Sequence, residues 1–120
     1  MIIARNDPRA FLPLGASAFY ILAALAKGEC HGYAIAKEVE TITSGTVRLG
    51  PATLYRVIKR MVVDGWILEV ERGGSEDSRR RRCYRLTPWG KRVAEAEAER
   101  LAALGRVAES RNLLGAPGPA

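Results

Sequence analysis

The residues best equipped for chemistry in this chain are cations. Arg56, Lys59 and Arg60 recur at helical spacing on the side of Thr53, and Arg79, Arg80, Arg81 and Arg82 run consecutively. Such groups hydrogen-bond phosphate oxygens and, within a groove, the acceptor edges of bases. No acidic residue interrupts the segment from Thr41 to Val63. Between Arg48 and Arg92 there are 12 Lys/Arg against 5 Asp/Glu, a balance of +7, whereas the remainder holds 7 against 8. The whole net charge of +6 is therefore concentrated in the middle of the chain. A localised basic field of this kind is the footprint of a polyanion partner. Taken singly, the helical set also reads as a solvated face and the arginine run as a basic loop. Their adjacency favours a shared task.

Other chemistries lack their residues. His31 is the only histidine, and Cys30 and Cys83 have neither C-x-x-C nor zinc spacing. Walker loop, nucleophile elbow and dinucleotide fingerprint are all missing from the sequence. No catalytic residue, metal site or cofactor is expected, and an enzyme is disfavoured. The adjacent pair Cys30-His31, and Cys83 beside the arginines, leave a thiol or metal sensor open as a regulatory layer. Two small, partly buried residues are the plainer reading. Binding is then expected to be indifferent to mild oxidant and to chelator.

Positioning these cations requires a scaffold, and 120 residues suffice for one compact domain. Residues 1–12 read as a flexible arm. GASAFYILAALAK (15–27) is apolar on nearly every side, as a helix buried between others would be, and Gly28 stops it. A second helix is expected from about Gly32 to Ile42, with Ile35, Val39 and Ile42 inward. A third begins at Gly50-Pro51, with proline at the first helical position, and ends at Asp64-Gly65. Leu54, Ile58 and Met61 form its inner stripe. WILEVE (66–71) alternates as a half-buried strand does, and Cys83–Leu86 returns, giving a hairpin with a long basic tip. Thr87-Pro88 then opens a long Ala/Glu/Arg helix to about Glu109, followed by a frayed tail, 111–120.

The uncharged stretch from Ala10 to Ala26 is broken by Pro13, Gly15 and Ser17 and is shorter than a membrane span. No convincing cleavage site follows it. A cytoplasmic protein with no membrane partner is expected.

Three helices, a β-hairpin and a closing helix are the parts of a winged helix-turn-helix, mainly α with a small β element. On that plan residues 13–87 form a DNA-binding domain and 88–110 a dimerisation helix. Pro51, Ala52, Thr53 and Arg56 would reach base edges in the major groove of double-stranded DNA. The arginines of the hairpin would reach phosphates or the minor groove.

The sequence also resembles the PadR-type transcriptional regulators over about residues 14–95. His31-Gly32-Tyr33 and Leu49-Gly50-Pro51-Ala52-Thr53-Leu54-Tyr55 open the second and third helices. Asp64-Gly65-Trp66-Ile67 and Arg82-Cys83-Tyr84-Arg85-Leu86-Thr87-Pro88-Trp89-Gly90-Lys91 follow in order. The resemblance implies a dimeric, ligand-responsive repressor on a pseudo-palindromic operator, with the last helix as the main dimerisation element. It places Thr53, Tyr55 and Arg56 on the DNA-reading helix and Tyr33 near the phosphates. Lys37, Lys59 and Arg60 are expected to contact the DNA as well. Tyr55 is equally a packing residue. Trp89 departs from the pattern, where a polar residue is usual. The second half of the last helix carries no aromatic ring on which a planar effector could stack.

Val93, Leu101, Leu104 and Ala108 fall on one side of that last helix and form the expected partner-facing stripe. Packing back on its own domain is the alternative. A protein–protein adaptor without DNA binding, or an RNA-binding protein, are the competing functions. The first has no need of an acid-free face, and the second would spread its cations over loops and expose more aromatics.

Overall fold

The computed structural model describes residues 6–28, 30–71 and 82–115. Helices α1 (Ala16–Ala26), α2 (Gly32–Ile42), α3 (Pro51–Val63) and α4 (Pro88–Ser110) surround a small sheet. Its strands are β1 (Cys30–His31), β2 (Ile67–Glu71) and β3 (Arg82–Leu86), antiparallel in the order β1-β3-β2. This is a mainly helical winged helix-turn-helix. The two-residue strand β1 was not foreseen, because two residues carry no periodicity. It pairs Cys30 with Tyr84 and His31 with Cys83.

One core joins all the elements. Ile21, Leu22 and Leu25 of α1 meet Ile35 and Val39 of α2, and Leu54, Ile58 and Met61 of α3. Trp66, Ile67, Tyr84 and Val93 close it from the sheet and α4. Ile42, expected inward, is half exposed as the last residue of α2. The end of α3 is a left-handed stop: Gly65 has φ +78°, and the Trp66 N–H donates to the Met61 carbonyl at 2.9 Å.

The junction into α4 is tied most tightly. The Thr87 hydroxyl accepts from the Gly90 N–H (2.9 Å), capping the helix, and donates to the Gly65 carbonyl (2.6 Å). The Thr87 N–H donates to the Trp66 carbonyl at 3.0 Å. A Cβ on Gly90 would lie 1.9 Å from that same carbonyl oxygen, so only glycine lets α4 pass this close.

The arm is placed from residue 6 onward: Pro8–Phe11 form a 3-10 turn capped by Asp7. Phe11 sets its ring edge-on to Trp66 (5.4 Å) and Trp89 (6.0 Å). That contact accounts for an aromatic at position 89, whose other neighbour is the Arg92 guanidinium, 5.3 Å from the ring centre. Residues 1–5 lie outside the described residues. The tail likewise begins as a helix cap, with Asn112 at φ +56° and the Leu113 N–H donating to the Ala108 carbonyl at 2.9 Å.

The link between the arm and α1 is held at α4 by a buried acid. Glu97 is 1% exposed; its carboxylate accepts from the Leu14 N–H at 2.8 Å and is paired with the Arg100 guanidinium. The Arg100 hydrogen bond holds the carboxyl below its ordinary value of 4.5, against the opposing pull of burial and with help from the Leu14 N–H. A depressed acid contributes stability above its unfolded value and loses it as pH falls through the folded one. The wild type is therefore expected to lose stability below about pH 4.5 more steeply than Glu97→Gln. At pH 7 the substitution should cost roughly 1 kcal/mol, discounted because Arg100 is a third exposed. Melts of both proteins between pH 3 and 7 check this; parallel curves would contradict it.

Candidate nucleic-acid interface

The helix-turn-helix begins at α2, whose first residue, Gly32, is buried beneath Tyr55 of α3. A Cβ there would sit 2.6 Å from the Tyr55 hydroxyl oxygen. Tyr55 is thus a packing residue at one edge while 46% exposed overall, so both of its readings retain a physical basis. Tyr33, next to Gly32, is 71% exposed. The turn between the helices is pinned by Thr43, whose hydroxyl donates to the Val39 carbonyl (2.8 Å) and accepts from the Val47 N–H (3.1 Å). Arg48 pairs with Glu40 at 3.4 Å across the same turn. These contacts fix where α3 starts.

Along α3 the inner stripe of Leu54, Ile58 and Met61 leaves Pro51, Ala52, Tyr55, Arg56, Lys59 and Arg60 exposed, with Thr53 half-buried. The cations differ in commitment. Arg60 pairs with Asp64 at 3.2 Å. Arg56, Lys59 and Lys37 have no ion-pair partner among the described residues. A guanidinium left solvated on a rigid helix is ready to exchange water for an acceptor at little ordering cost.

Of the wing arginines, Arg79, Arg80 and Arg81 lie outside the described residues. Arg82 is the first residue of β3, exposed, and pairs with Glu69 of β2 at 2.9 Å. It belongs to the base of the wing. Behind it, burial and the nearby Glu69 and Tyr55 push the Tyr84 phenol up, so Tyr84 stays neutral.

The β1–β3 pairing brings His31 to 3.5 Å (Nδ1) from the Cys83 sulfur, a contact invisible in a sequence that separates them by 52 residues. Burial pushes the Cys30 thiol up, with Cys83 and Glu38 adding to it, which is the opposite of a reactive thiolate. No cluster of three metal-ligating side chains occurs among the described residues. None of the helices described is long and apolar enough to cross a membrane.

The stripe expected to face a partner divides. Val93 is fully buried in the core of its own chain and presents no surface there, because the start of α4 lies against α1 and β3. Leu101 and Leu104 are exposed and Ala108 is partly so, joined by exposed Val107, Leu113 and Leu114. Spacing alone could not tell where α4 leaves the core. The buried Glu97 marks the place.

Residues 21–96 match the family described as the transcriptional regulator PadR-like family. A PadR family transcription regulator from Clostridium difficile has the same fold, with a TM-score of 0.68 and 27% identity over 80% of this chain and 97% of that one. Bacillus subtilis PadR, solved in complex with operator DNA, is similar at a TM-score of 0.60 and 21% identity, over 89% of this chain and 52% of that one. An uncharacterised 37.1 kDa protein in transposon TN4556 of Streptomyces fradiae is 40% identical over 91 residues, 75% of this chain. The match spans only 24% of the length of that curated relative. Since the family match covers more than half of the sequence, the chain belongs to the PadR-like family of transcriptional regulators.

Proposed function

We propose that the protein is a sequence-specific repressor that binds a pseudo-palindromic operator in duplex DNA as a symmetric dimer, in the cytoplasm, and responds to a small-molecule effector. The observation that carries this reading is the outer face of α3. It is acid-free, rigidly placed by the Thr43 turn and Gly32, and presents Arg56 and Lys59 without an ion-pair partner among the described residues. Arg56 reads a base edge in the major groove. Lys59, Lys37 and Tyr33 contact phosphates, and Arg79 to Arg82 carry the wing to the flanking backbone. The related regulator solved on operator DNA supports the same use of the fold. Selection of binding sites from a random duplex library tests the proposal. It should return a two-fold symmetric site, whereas enrichment of no duplex would favour the adaptor reading.

Dimerisation rests on the second half of α4. A helix of 23 residues spans about 35 Å, so its last three turns stand clear of the core with Leu101, Leu104 and Val107 uncovered. Two linked half-site readers gain both affinity and specificity. Leu104→Glu, at a site 53% exposed in the protomer, should leave the fold intact and convert dimer to monomer in sedimentation. An unaltered dimer would remove this surface from the interface.

A further inference from the structure

We infer that the cleft between the end of α1, the end of β3 and the first turn of α4 binds a small aliphatic carboxylate; as the effector site it rests on the DNA-binding reading above. The cleft encloses about 480 Å³. Leu25, Ala26, Leu86 and Pro88 supply aliphatic walls, with no aromatic ring for a planar ligand to stack on. Arg85 and Lys91 stand at its rim, and none of the described lining residues is acidic. Lys91 is exposed and has no ion-pair partner among the described residues, whereas Arg85 already has a partner, so the head group falls to Lys91.

Two other clefts lack this combination. The groove between the arm and α4 mixes Arg9 and Arg92 with Asp7, Glu95 and Glu99, and its Arg9 is already paired with Asp7 at 2.6 Å. The smaller cleft at Cys30 holds Glu38, with Lys27 already 3.9 Å from it. Aliphatic walls beside the Lys91 ammonium select a carboxylate head on an alkyl tail. The carbonyl end of α1 forms one wall, so the head group turns to Lys91 and the tail to Ala26, Leu86 and Pro88. The cleft also lies where the reading head, through α1 and β3, meets the base of the proposed dimerisation helix. A ligand bridging these elements favours one angle between them, and so couples to operator affinity.

Calorimetry on the full chain without DNA tests the site, with octanoate as probe. Octanoate should bind saturably, at least about tenfold tighter than butanoate, because buried methylenes add to affinity. Octanamide and octylammonium should bind about tenfold more weakly. Lys91→Glu should weaken octanoate by a similar factor, and an acidic side chain in the first turn of α4 suits the helix, so the variant keeps its melt. Saturating octanoate should shift operator affinity by at least about fivefold. No saturable binding, equal affinity for the amide, or indifference to Lys91→Glu would overturn the site. Saturable binding with unchanged operator affinity would overturn its role as effector. A chain that binds no duplex at all would fail the DNA reading instead, and the calorimetric series would still judge the cleft.

Discussion

Gly90→Ala is expected to destabilise the protein by about 3 kcal/mol or more, the largest effect of an added methyl at any described glycine. An added Cβ meets three backbone atoms of Trp66, at 1.9 Å (O), 2.7 Å (C) and 2.9 Å (Cα). None of these is the yielding end of a side chain. Relief requires α4 to back away from β2, which breaks the Thr87 hydrogen bonds to Gly65 and Trp66 and draws Val93 out of the core. Each lost hydrogen bond adds about 1 kcal/mol to the overpacking cost. The melting temperature should fall by roughly 10 °C or more, given about 4–8 °C per kcal/mol for a domain near this size. Circular-dichroism melts check it. A variant melting with the wild type would mean that α4 does not run this close to the sheet.

The second large effect separates the cations of α3 on DNA. Arg56→Ala should cost about 1–3 kcal/mol on the best selected site and relax the sequence preference at one position per half-site. Lys59→Ala should weaken all duplexes alike and lower the salt slope by about one. Arg60→Ala should do less than either, because its guanidinium must first give up Asp64. Fluorescence anisotropy on matched and mismatched duplexes distinguishes the three. Equal losses from all three would show that the face acts as diffuse charge without base reading.

The order of elements was legible because its signals are local. Pro51 and Pro88 mark first helical turns, Gly65 a left-handed stop, and the spacing of Leu54, Ile58 and Met61 one buried face. What the sequence hid is what depends on distant partners. Cys30–His31 is a strand only because β3 lies beside it. Phe11 orders the arm only because Trp66 and Trp89 form its seat. Glu97 reads as one more acid on an Ala/Glu helix, yet it is buried against Leu14, 83 residues away in the chain. For the candidate site, the α3 face could be read from periodicity. The Arg60–Asp64 pair is equally legible as i,i+4 neighbours, whereas Arg82 and Glu69 meet only across the hairpin.

The claim that this chain is a sequence-specific DNA reader is tested most directly by one titration. Full-length protein is bound to its selected duplex and to a scrambled duplex of equal composition, from about 50 to 200 mM salt. The account predicts binding at least about a thousandfold tighter to the selected duplex, with both affinities falling steeply as salt rises. Equal affinity for the two duplexes at every salt concentration would contradict it.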